Sequence, residues 1–78
     1  MTWNFETSGL DGQCDLFGVN IFQHPWHRTG EVAHVLDPHY GQPRVLPVYQ
    51  VVLQGRAQRF AAGEFSNGVW GFYLPARP

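Results

Sequence analysis

A chain of 78 residues is expected to fold as one small domain, which excludes a two-domain enzyme, a doubly wound nucleotide fold and a repeat array. Apolar residues make up 44% of it and aromatics 15%, enough β-branched and ring mass to exclude intrinsic disorder. Arg and Lys together number five, all Arg, against six acids, and the net charge of −1 gives a nucleic-acid backbone little to hold.

The lone Cys14 cannot close an intramolecular disulfide, so no secreted disulfide framework is present and a reducing interior fits. The start, Met1 to Glu6, lacks the basic and apolar run of an export signal, and the apolar stretch Val69 to Leu74 is far too short to cross a bilayer. The chain therefore reads as soluble and cytoplasmic, with no membrane partner.

Nine Gly and six Pro interrupt the chain so often that short strands suit it better than helices. Residues 1–17 show no clean period and read as an N-terminal arm or an edge strand. Gly18 to Gln23 predicts a strand, with Val19 and Ile21 on one side and Phe22 on the other. Glu31 to Leu36 predicts a second, ending at Asp37-Pro38. The three prolines and Gly41 between Asp37 and Pro47 predict a long loop.

Val48 to Leu53 alternates cleanly, Tyr49, Val51 and Leu53 against Val48, Gln50 and Val52, and Gln54-Gly55 then offers a turn. Arg56 to Phe60 follows as a hairpin partner; the rival is a short helix over Arg56 to Ala62, which Gly63 would cut short. Ser66-Asn67-Gly68 is a turn signal, and Val69 to Leu74 is the last strand, with Trp70, Phe72 and Leu74 on one face. The expectation is all-β: one domain over 1–78, about five short antiparallel strands closing into a small barrel. Val32, Tyr49, Val51, Phe60 and Trp70 are expected to meet in one interior.

These segments resemble a known domain. His27-Arg28-Thr29-Gly30-Glu31-Val32, the Pro-rich connector, Pro47-Val48-Tyr49-Gln50-Val51, Glu64-Phe65 and the closing Val69-Trp70-Gly71-Phe72-Tyr73-Leu74-Pro75-Ala76 are similar, in order and spacing, to the C-terminal domain of the nitrile hydratase β-subunit. The likeness runs from His24 to Pro78, about 55 of the 78 residues. It departs from the family in lacking the acid after Trp70, in carrying Trp26-His27 before the basic residue, and in lacking the helical N-terminal half of a β-subunit.

The resemblance implies a Src-homology-3-like small barrel without catalytic activity of its own. In that family the cysteine cluster that holds iron or cobalt belongs to the α-subunit, and this chain has no such cluster. A free-standing β-like domain then resembles the activators that dock an α-like subunit and hand it cobalt or iron.

Four His give metal chemistry a foothold, since neutral imidazole suits zinc, cobalt and nickel. His24, His27 and His34, with Cys14 as a thiolate, are the candidate ligands for a transient cobalt, iron or zinc. Against this stands a surface imidazole at each position and a small buried hydrophobe at Cys14. Arg28 is the candidate for an anionic partner group, through its planar guanidinium fork. Trp26 and Tyr40 sit in loop-like sequence and are the expected exposed aromatics of a partner surface.

No nucleophile stands beside a base and no pair of carboxylates is set apart, so catalysis is not expected. The rival to the activator is a general peptide-binding or assembly barrel without metal. An uncapped edge strand near the N-terminus also predicts pairing with a second copy, a homodimer.

Overall fold

The computed structural model describes residues 2–77; Met1 and Pro78, the outer limits of the domain and the end of the hydratase-like stretch, lie outside them. The chain is all-β, with 68% of it in strands. Seven strands follow in order: β1 (Trp3–Leu10), β2 (Asp15–Leu16), β3 (Val19–Asn20), β4 (His27–Leu36), β5 (Pro43–Leu53), β6 (Arg56–Ser66) and β7 (Val69–Pro75). Among the described residues no helix is long and apolar enough to cross a membrane.

Five of the strands form one antiparallel sheet in the order β1-β7-β6-β5-β4, and β2 with β3 makes a separate two-stranded ribbon. The sheet curls until β1 and β4 approach each other, but they exchange no ladder hydrogen bonds. The expected closure into a barrel is therefore corrected to an open, curled sheet with two edges. About five strands are expected and seven form: β1 takes the sheet position expected of the Gly18–Gln23 strand, and Arg56–Phe60 is strand rather than helix.

Strand alternation gives this sheet two buried faces. On one, Val51, Phe60, Ala62 and Phe72 pack under Cys14, Leu16 and Ile21 from the ribbon and its following turn. We call residues 11–26 the strap. On the other, Ala33, Val35, Leu46, Val48, Ala61 and Tyr73 pack together with Trp3 and Phe65, with no covering element beyond the curl of the sheet itself. Tyr73 closes this concave face by donating its hydroxyl proton to the Leu36 carbonyl of β4 at 2.7 Å.

The strap has its own logic. Phe17 and Gly18 both hold positive φ, 57° and 80°, the geometry of the tight hairpin turn that joins β2 to β3. The Asn20 carboxamide oxygen then accepts from the backbone N–H of Cys14 at 3.3 Å and of Phe22 at 3.2 Å, and its nitrogen donates to the Gly12 carbonyl at 3.3 Å. Those contacts cap a 3-10 turn over Ile21–Gln23, so the strand expected from Gly18 to Gln23 is only two residues long. Ile21 is fully buried and Trp26 donates its indole N–H to the Ile21 carbonyl at 2.9 Å.

Prolines misled the reading of residues 37–47. The loop is only 37–42, clasped by the Asp37 carboxylate, which accepts from the backbone N–H of His39 and Tyr40 at 2.8 and 2.9 Å. Pro43 opens β5, and Pro47 lies opposite Val32 where the β4 register shifts and before β6 joins at Val48. At those positions a missing N–H costs the ladder nothing.

Four of the five residues expected to share an interior do so: Val51 and Phe60 are in the strap core, with Tyr49 and Trp70 packed against it. Val32 does not. It is 54% exposed, because it lies opposite Pro47, beyond the C-terminal half of β5 that the strap covers.

Candidate functional site

The expected metal ligands are placed apart. Cys14 is buried in the strap core against β1, so close that a Cβ built on Gly9 would meet its Sγ at 2.7 Å. Burial, and after it the neighbouring Asp15 carboxylate, pushes its thiol above the ordinary value, away from the thiolate a metal needs. His24 is half-buried on the strap, His27 is exposed at the start of β4 opposite Gln50, and His34 is exposed farther along the same strand opposite Val45. Among the described residues no three His, Cys, Asp or Glu side chains converge in a way that could hold a metal ion. The set does not fit a shared cobalt, iron or zinc.

The expected partner residues also divide. Arg28 is exposed and stacks over Tyr49, 5.7 Å from the ring centroid, where the guanidinium remains open to an outside acid. Tyr40 is the most exposed large apolar side chain at 82%, carried on the 37–42 loop. Trp26 is not an exposed aromatic: its ring lies 5.2 Å from those of Phe22, Tyr49 and Phe60. It pins the strap to the sheet. Arg28 and Tyr40 stand at opposite ends of β4 and do not form one contact point.

A different surface lies between them. By alternation Val32, His34 and Leu36 of β4 share the strap side of the sheet with Pro43 and Val45 of β5, but the strap covers only the C-terminal half of β5. Val32, Leu36 and Val45 are 54%, 63% and 58% exposed. The result is a bare apolar patch with His34 at its centre, while Tyr40 lies by Phe65 and Val69 and stands apart from it. Sequence reasoning missed it, although Glu31-Val32-Ala33-His34-Val35-Leu36 is apolar at both alternating positions, a pattern that only a strand covered on both faces requires.

Charge is sparse around this patch. Arg59 pairs with Glu31 at 2.8 Å and lies over the Trp3 ring at 5.9 Å, both on the concave face. Arg44 donates to the Glu64 carbonyl at 3.0 Å and stacks over Phe65, sealing the opposite end. None of these groups places a nucleophile against a base.

No family model, no curated protein and no solved structure matches this chain. The surface itself is what a functional reading rests on. Its apolar, nearly uncharged character suits burial against a protein rather than chemistry on a small substrate.

Proposed function

We propose that the chain is a non-enzymatic protein-docking module, and that the bare patch of Val32, Leu36 and Val45 is its contact surface. The observation that carries this reading is exposure of three aliphatic side chains on adjacent strands, where the rest of that sheet face is covered by the strap. Such a patch costs solubility unless a partner covers it.

The resemblance to nitrile hydratase β-subunits supplies the finer proposal. In it this domain is a Src-homology-3-like accessory protein that docks the α-like subunit of a cytoplasmic nitrile-hydratase-type enzyme as an activator. The scattered His and Cys side chains favour docking over metal carriage. Arg28, still free to accept an acidic group, would sit at the rim of that contact.

Co-expression with an α-like hydratase subunit followed by size-exclusion chromatography tests both levels. The proposal expects co-elution with the wild type and separation with the folded double variant V32D/L36D. Absence of co-elution with the wild type defeats the hydratase partner; co-elution that survives V32D/L36D defeats the assigned surface.

A further inference from the structure

A second concave feature lies at the far end of the sheet, between the ribbon and the β5–β6 hairpin. It is a cleft of about 370 Å³, with Phe17, Val19 and Leu53 among its apolar walls and His24, Gln54 and Arg56 among its polar ones. That volume lies in the usual range of small-ligand pockets, roughly 300–1,000 Å³. No Asp or Glu lines it. The only ion pair among the described residues is Arg59–Glu31, so the Arg56 charge is uncompensated there.

Both turns that border the cleft hold an unfavourable residue. Phe17-Gly18 and Gln54-Gly55 each have two successive positive φ angles, 57° and 80° in the first, 51° and 77° in the second. Asn or Asp takes the first of such positions with less strain than Phe or Gln. Packing explains Phe17, whose ring meets Phe60 edge-on at 6.4 Å. Nothing inside the fold explains Gln54, which is exposed and makes no side-chain hydrogen bond among the described residues. Gln54 instead lines the cleft together with Arg56.

We propose that this cleft binds a carboxylate carrying a short apolar tail. The Arg56 guanidinium and the Gln54 amide donate to the carboxylate oxygens, and Phe17, Val19 and Leu53 take the tail. A free organic acid and the C-terminal residue of a peptide present the same chemistry, so the test uses one of each. This site is separate from the docking patch and does not depend on it.

The experiment is a two-dimensional ¹⁵N NMR titration with hexanoate and with N-acetyl-leucyl-phenylalanine, each against its neutral amide. The expected result is saturable shifts confined to residues 17–24 and 52–58 with at least one carboxylate, and binding about ten-fold weaker for its amide, the cost of about one charge-assisted contact. Whichever carboxylate binds more tightly identifies the source. Arg56→Gln should weaken binding by a similar factor with spectral dispersion retained. Gln54→Asn should raise the thermal midpoint while weakening binding.

The proposal is overturned if neither carboxylate gives saturable shifts or if acid and amide respond equally. It is also overturned if a folded Arg56→Gln binds as the wild type does, or if Gln54→Asn raises the midpoint and leaves binding unchanged. Should Arg56→Gln fail to fold, the comparison of acid with amide on the wild type decides alone.

Discussion

Single atoms set the shape of the concave core. Gly63 of β6 pairs with Gly71 of β7, and the absent side chains make room for Leu46 over the first and the Phe65 ring over the second. A Cβ at Gly71 would run into the Phe65 ring, which lies on the same face two residues after Gly63. We expect Gly71→Ala to destabilise the fold by about 1–3 kcal/mol through overpacking, measured by urea denaturation. Gly68→Ala tests a different cost, since open space surrounds it and only its positive φ resists the change.

Cys14 gives stability a pH dependence of predictable sign. Burial raises the folded thiol above its unfolded value, so above the unfolded pKa the open chain releases a proton that the native state keeps. The stabilisation is complete below the unfolded pKa and is lost as pH rises through the folded one. Tyr73, also pushed up by burial and then by Asp37, acts in the same direction at higher pH. Urea midpoints should fall on the alkaline side of the thiol's ordinary value, and Cys14→Ala should flatten the first part of that decline. An unchanged profile in Cys14→Ala would contradict the assignment.

Among the elements, the strap depends most on one side chain. Asn20 makes three contacts that no apolar residue replaces, so Asn20→Ala should cost about 1–2 kcal/mol, as loss of a good cap does. Hydrogen exchange should quicken over residues 11–26 and leave β5 to β7 protected. Uniform acceleration across the chain would mean that strap and sheet unfold as one unit. Trp26→Ala should cost more, about 3–5 kcal/mol, because the ring fills the space between strap and sheet.

Legibility in the sequence followed the regularity of each element. Val48–Leu53 and Val69–Leu74 were readable because no bulge interrupts β5 or β7, and their alternation marks the two buried faces. β1 was blurred by a bulge: Phe5 pairs with Tyr73 and Thr7 with Phe72, so Glu6 is an unpaired residue that shifts the phase of Trp3 and Phe5 against Ser8 and Leu10. The edge-strand alternative for the N-terminus is the one the fold adopts, over Trp3–Leu10. The Gly18–Gln23 reading failed for a different reason, since a side-chain cap at Asn20 competes with the ladder and periodicity does not register it.

For the molecule as a whole, the sheet builds two cores back to back, one under the strap and one within its own curl. Metal ligands were over-read because spacing along the chain says little once His27 and His34 lie on one strand and Cys14 lies inside the strap core. The two-faced apolar pattern of Glu31–Leu36 signals the bare patch, but its extent is not written in the sequence because it depends on where the strap stops. Exposed on a strand surface, Val32→Asp with Leu36→Asp should leave thermal stability within about 1 kcal/mol of the wild type. The same pair of changes removes the apolar area that docking needs.

The docking account is tested most directly by affinity capture from the native host, with the captured protein purified and its binding to wild type and V32D/L36D measured side by side. The account predicts one defined partner, bound by the wild type and lost, at least ten-fold in affinity, by the folded double variant. Equal binding by the two forms, or no partner that rebinds the purified wild type, would contradict it.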